Sequence, residues 1–295
     1  MNPTPSFSAT LADQGLIRAS GEEAAGFLHN LLTNDINHLA EGTAHHAGLC
    51  TPKGRLLATF LIWREGGDYY LQLSADILPA ILKKLSMYVL RSKVRLADVT
   101  AERVLTGVCG TALGPAQAMH TAPCEGGIAI RLDADRVVLA VPAGATPAGL
   151  PPAGALAGWH LAEIEHGMPR ITAATQELFT PQMANYELPA VGGVSFQKGC
   201  YPGQEVVART QYLGKVKRRM YRAKLESLVP PGTEVFSPEA GDQHCGAVVL
   251  SAPAPAGGCE CLLVVQSSAA EAGEVHVGSP SGPRAEILPL PYAVD

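Results

Sequence analysis

The sequence predicts an α+β fold, on three observations. An amphipathic helix pattern lies near the start, hairpin-forming strands follow it without regular βαβ alternation, and residues 216–295 read as short strands broken by Pro and Gly. Hydrophobic residues make up 47% of the 295, and charged residues 17%, so there is enough apolar material for a core without covalent staples. Seven cysteines, odd in number and irregularly spaced, form no disulfide framework and suit a reducing cytosol. The net charge of −5 makes no overall demand for nucleic acid or an anionic membrane. No apolar run approaches the roughly 20 residues needed to span a bilayer. "MNPTPSFSATLADQG" lacks the basic and apolar segments of a secretory signal. A cytoplasmic protein with no membrane partner is therefore expected.

The elements follow from periodicity. In "SGEEAAGFLHNLLTND", Ser20 and Glu23 have capping-box spacing, and Ala24, Phe27, Leu28, Leu31 and Leu32 share one helical face. "RLLATFLIW" (55–63) and "YYLQL" (69–73) are strands joined by the hairpin signal "REGGD". Asp76 is placed to cap a second helix through "ILPAILKKLSMYVL", with Pro79 tolerated in its first turn. "KVRLADV" (93–99) and "ERVLTGVCG" from 102 read as strands, and "GGIAIRL" and "RVVLAV" as a hairpin across "DAD". Residues 142–158, rich in Pro, Gly and Ala, form a surface connection. "WHLAEIEHGMPRI" opens a new ordered region. Beyond 216, "VKRRMYRAKL", "TEVF", "CGAVVL", "CECLLVVQ", "GEVHV" and "RAEILPL" read as a small β-barrel.

One thiol stands at a tightly punctuated turn, "GGVSFQKGCYPGQEVVART" (192–210). Pro202 suits the first position of a helix starting at Gly203, which would place Cys200 just outside a helix N-terminus, where the macrodipole favours an anion. Lys198 adds positive charge, and both effects raise the thiolate fraction. Glu205 opposes them. The bland alternative is a small buried residue in a glycine-shaped turn, and the residues alone leave both readings open.

The stretch 192–209 resembles the signature of the YgfZ family of folate-binding proteins: lysine, glycine, cysteine, aromatic, any residue, glycine, glutamine, glutamate. "TPKGRLL" (51–57), "WHLAEIEHGMPRI" (159–171), "PQMANYE" (181–187) and the tail "LPLPY" (288–292) resemble further family segments in the same order, so the likeness spans nearly the whole chain. The family is similar in fold to the aminomethyltransferase (T protein) of the glycine cleavage system. The resemblance implies two α+β subdomains and a C-terminal β-barrel around a central opening that holds tetrahydrofolate. The expected division is a folate-binding region over 1–215 (subdomains roughly 1–97 with 155–215, and 98–154) and the barrel over 216–295.

The implied role is assembly or repair of iron–sulfur clusters, with iron–sulfur proteins or their assembly machinery as partners and an indirect effect on tRNA-modifying enzymes. Cys200 matches the signature thiol, with Lys198 beside it, and Gly199, Tyr201, Gly203, Gln204 and Glu205 match its frame. The resemblance places Tyr201, Gln204, Glu205 and Arg209 around the cofactor. Trp159 falls on a tryptophan associated with the folate site, where an indole face can stack on a flat ring. Glu165 falls on a glutamate that accepts bonds from the pterin's amino and ring N–H groups. One departure is Gln14, in "QGLIRASG", where some members carry an aromatic residue.

"LGKVKRRMYRAK" (213–224) carries six basic residues, and on a strand Lys215, Lys217 and Arg219 would line one face, either solvated or ready for an acidic partner such as tRNA phosphate. Cys259 and Cys261 form a C-x-C that reads as one strand face rather than a metal site. No P-loop or dinucleotide fingerprint is present. Two functions compete with the folate-dependent accessory factor: a true aminomethyltransferase, and a non-enzymatic RNA- or protein-binding module. Turnover, by one-carbon transfer or thiol redox chemistry, is left open.

Overall fold

The computed structural model describes residues 6–294; the first five residues of the N-terminal stretch read for a secretory signal lie outside it. Two compact units divide the chain. The first lies within Met1–Leu49, Ala58–Trp159 and Gln197–Tyr201, the second within Cys50–Leu57, His160–Phe196 and Pro202–Asp295. Among the described residues no helix is long and apolar enough to cross a membrane.

In chain order the first unit begins with strands β1 (Phe7–Thr10) and β2 (Gln14–Ser20), helix α1 (Ala24–Leu31), and strands β3 (Ala44–Cys50), β4 (Leu56–Glu65) and β5 (Asp68–Ser74). Helix α2 (Leu78–Val89) and strands β6 (Arg95–Asp98), β7 (Arg103–Cys109), β8 (Thr121–Cys124), β9 (Gly127–Arg131) and β10 (Arg136–Pro142) follow, then helix α3 (Leu156–Glu165), whose residues from His160 on are counted with the second unit. Two five-stranded sheets result, ordered β3-β4-β5-β2-β6 and β1-β7-β10-β9-β8. Glu65 pairs with Asp68 across the first hairpin, so its turn is Gly66-Gly67, both at positive φ (60° and 90°). A two-residue turn with that twist strongly favours such residues.

The apolar stripe of α1 is buried as its spacing predicts, through Ala24, Phe27, Leu28 and Leu31. The caps differ from expectation. Ser20 ends β2, and the helix starts at Ala24 with no side-chain cap. The Glu23 carboxylate instead accepts from the Lys93 backbone N–H at 2.8 Å. Helix α2 starts at Leu78 behind Ile77, so Asp76 is not its cap. Capping spacing is satisfied equally well by a tertiary partner, which local sequence does not contain.

The second unit carries helix α4 (Gln204–Leu213), strands β11 (Arg218–Leu225), β12 (Glu234–Phe236), β13 (Gly246–Pro253) and β14 (Cys259–Gln266), helix α5 (Ser267–Ala272), and strands β15 (His276–Val277) and β16 (Glu286–Leu288). Its six-stranded sheet, ordered β15-β12-β13-β14-β11-β16, is a curled half-barrel with two edges. Cys245, Cys259 and Cys261 belong to one buried cluster there with Val248, Leu263 and Val265, so the C-x-C does occupy one face of a strand. Burial pushes the Cys259 and Cys261 thiols upward, which keeps them protonated and inert.

The basic strand departs from expectation. Strand β11 begins at Arg218, leaving Lys215 and Lys217 exposed in the preceding loop, while Arg219 is buried at 7% exposure. Lys215, Lys217 and Arg219 therefore do not line one strand face.

In the first unit, Gly107 on β7 lies directly under the Trp159 ring, and any Cβ there would overlap it. Gly107→Ala is expected to destabilise the protein by about 1–3 kcal/mol through overpacking, read as a lower urea midpoint. An unchanged midpoint would mean that the indole is free to move away.

Candidate functional site

The cysteine turn is held from below by its lysine. Lys198 is 7% exposed, and its Nζ donates to the Leu32 carbonyl at 2.7 Å and to the His29 carbonyl. Both oxygens belong to the C-terminal end of α1, where helical carbonyls lack partners and the dipole is negative. The same ammonium lies 4.8 Å from the centroid of the Tyr201 ring, itself 6% exposed. Burial pushes Lys198 down to about 8, against the pull of Asp35 and the Cys200 sulfur. Lys198 thus anchors the turn, where charge beside the thiol was the role expected of it.

With Lys198 and Tyr201 turned inward, Cys200 between them is exposed, the only exposed cysteine of the seven. Gly199 lies against His29, whose Nε2 is 3.6 Å from where a Cβ would stand. His29 Nδ1 is 3.1 Å from Asp35, whose other oxygen is 2.7 Å from His38 Nδ1. Burial and Lys198 push His29 below its ordinary value. Burial of Asp35 works the other way, but the bonds from His38 outweigh it and hold that carboxyl below its usual range.

In the second unit the signature's remaining half starts α4. Gly203, at φ 83°, is the N-cap, so Pro202 stands before the cap and not at the first helical position. A side chain at Gly203 would strike the Thr51 carbonyl, and one at Gly54 (φ 71°) would come within 3.0 Å of Val206. These two glycines let "TPKG" pack on the start of α4. "PQMANYE" meets the same helix, since Gln182 Nε2 donates to the Val207 carbonyl at 2.7 Å. Asn185, at φ 55°, bonds the backbone of Met220 on β11 through both ends of its amide (2.8 and 3.3 Å). Arg219 donates to Glu187 and to the Gln182 carbonyl. The tail joins them, with the Tyr292 hydroxyl donating to the Gly167 carbonyl at 2.6 Å.

That convergence leaves unused acceptors. Gln182 Oε1 and Glu187 Oε2 are buried without a hydrogen-bond partner among the described residues. Burial raises the Glu187 carboxyl despite its arginine. Glu165, the last residue of α3, keeps 39% of its side chain exposed and lies 3.6 Å from Arg222, which is engaged by Glu260 at 2.6–2.7 Å. The Glu165 carboxylate therefore retains free lone pairs.

The other predicted residues separate. Trp159 in the first unit is 1% exposed, seated on Gly107 with the Arg136 guanidinium 5.8 Å from its centroid. It offers no open face here, because the helix turns the ring onto β7. Its Nε1 has no partner among the described residues. Gln204 is half-buried, whereas Glu205 and Arg209 are exposed and pair with each other at 2.5 Å. Gln14 is 5% exposed and accepts from the Gln72 amide. No group of three or more His, Cys, Asp or Glu among the described residues is placed to hold a metal ion.

The comparisons with known proteins agree with these motifs. A "tRNA-modifying protein YgfZ" from Vibrio vulnificus (strain YJ016) is 30% identical, covering 99% of this chain and 94% of its own length. The chain belongs to the YgfZ family. A relative of the same name from Cronobacter sakazakii is also 30% identical, over 97% of this chain and 93% of its own. No protein-family model matches. Among solved structures, the glycine cleavage system aminomethyltransferase T from Bartonella henselae superposes with a TM-score of 0.73 at 18% identity, covering 97% of this chain and 86% of that one. The α+β fold of that transferase is thus the fold of this YgfZ-family chain.

Sequence reasoning missed Gln182, Asn185 and Glu187 as a buried polar set, and His29 with Asp35. The "PQMANYE" segment was visible, but its partner Arg219 lies 32 positions away.

Lys198 gives a measurable pH dependence. The unfolded chain holds this proton up to about 10.5, the folded chain only to about 8, so the unfolded state binds more protons between those values. Relative to Lys198→Met, the parent's unfolding free energy is expected to rise from pH 8 to 10.5. Parallel curves would remove the buried-ammonium assignment.

Proposed function

We propose that this protein is a tetrahydrofolate-binding accessory factor that supports tRNA modification through the upkeep of iron–sulfur enzymes, with Cys200 as its working thiol. The observation that carries the folate part is the uncommitted acceptors of the second unit: Glu165, half-exposed, and the buried oxygens of Gln182 and Glu187. A reduced pterin is rich in N–H donors, and a carboxylate accepts two of them side by side. Donor and acceptor chemistry therefore fit. The transferase-like fold and the names of the YgfZ relatives support the same reading. Trp159 enters it as a buried anchor, and Tyr201 as part of the seat for the cysteine turn. Gln204 at the start of α4 is the nearer candidate for a ligand contact, while the Glu205–Arg209 pair is committed to itself.

The thiol assignment rests on exposure. Cys50 is pushed up to about 12 by burial, and burial raises Cys259 and Cys261 likewise, whereas Cys200 is presented to solvent by a turn whose lysine and tyrosine both point inward. The bound folate would supply a one-carbon or redox-active reduced ring. This chain's residues hold and orient that ring and present the sulfur.

Titration with tetrahydrofolate, followed by calorimetry, is the direct test. Glu165→Gln is expected to weaken binding about 10-fold or more, the worth of a charge-assisted bond. Equal affinity in both proteins would remove Glu165 from the site. For the thiol, Cys200→Ala expressed in cells lacking the native protein is expected to leave iron–sulfur enzyme activity unrestored. Full restoration would refute the role of Cys200.

A further inference from the structure

The exposed end of α4 carries a feature the folate reading does not use. Tyr212 and Leu213, its last two residues, are 68% and 86% exposed. The Tyr212 ring is not loose: Phe196 meets it edge-on, with centroids 5.9 Å apart and planes at 70°. A T-shaped partner fixes a ring's orientation while leaving at least one of its faces uncovered. Lys215, Lys217 and Arg218 follow at once, and none of them has an ion pair among the described residues. No acidic residue occurs from Val206 through Leu225, although the whole chain is net −5. The negative end of the α4 dipole accounts for a cation at Lys215, but that field fades within the last turn and does not reach Lys217 or Arg218.

An oriented, solvent-facing aromatic ring beside unpaired cations is the chemistry that binds unpaired nucleic acid: bases stack on the ring and phosphates meet the ammonium and guanidinium groups. A duplex hides its base faces and offers the ring nothing. We infer that the C-terminal end of α4 and the loop after it, centred on Tyr212, Lys215 and Lys217, form a docking surface for single-stranded RNA. The choice of RNA rests on the tRNA part of the function proposed above; the surface chemistry itself is independent of folate and of Cys200. It also revises the basic-strand idea, because the cations available here lie in the loop before β11 and at its first residue, while Arg219 and Arg222 further along are engaged by Glu187 and Glu260.

The test is fluorescence anisotropy of a short, labelled, unpaired RNA titrated with the full chain, without folate, over a range of KCl. Weak binding is expected, with a salt slope near about −2 for three phosphate contacts on a single strand. Tyr212→Ala is expected to weaken it about 10-fold, with Tyr212→Phe close to the parent, since stacking needs the ring and not the hydroxyl. Lys215→Glu with Lys217→Glu should flatten the salt slope. These side chains are exposed, so the variants should melt with the parent, which thermal denaturation checks.

Four results would each overturn the surface: no binding even at low salt, a Tyr212→Ala variant that binds as the parent does, a duplex or DNA probe bound more tightly than the RNA, or a parent dimer in sedimentation that Leu213→Glu dissolves. The last would make the patch a contact between copies of the chain. Because neither folate nor a cluster enzyme is in the assay, failure here leaves the folate and thiol assignments standing.

Discussion

The contact on which the cysteine turn depends is a buried ammonium on the end of a helix. Lys198 closes two carbonyls of α1 that no other part of the helix can reach, and in doing so it draws its own backbone down onto the first unit. Two residues on, Tyr201 packs against the same charge. The sulfur between them has only solvent left to face. Exposure of a small, weakly polar side chain needs such a device, since a cysteine left to packing forces is usually buried.

The second unit reflects a related constraint. Segments far apart in the chain are tied down by main-chain carbonyls: Gln182 and Asn185 donate to Val207 and Met220, Arg219 to Gln182, and Tyr292 to Gly167. Bonds of this kind fix backbone positions and say little about which side chains are left over. The leftover groups are acceptors, at Gln182 and Glu187. Buried acceptors without donors are costly and tend to mark a place where something else is meant to bind.

Much of the fold was legible. Apolar runs bounded by turn signals located β4, β5, β9 and β10, and the Gly-Gly pair located a hairpin, because both signals are local. Helix α5 and the caps of α1 and α2 were not, being decided by partners elsewhere, as when Glu23 turns to the backbone of Lys93. At the site, the signature drew attention to Cys200 and its neighbours, but not to which way each side chain turns. The signature supplies a buried anchor in Lys198, an exposed thiol in Cys200, a left-handed cap in Gly203 and a surface ion pair in Glu205 and Arg209.

By itself, the sequence determined the α+β class and the family, since composition, periodicity and a spaced motif are properties of the chain before it folds. Tertiary structure alone decided that Lys198 points inward, that Trp159 lies against Gly107 and that Arg219 belongs to Glu187 while Lys215 and Lys217 stay in solvent. The reason is geometric. Which way a side chain turns, and whether its charge meets a partner or water, depends on residues that are distant in sequence and adjacent only once the backbone has closed around them.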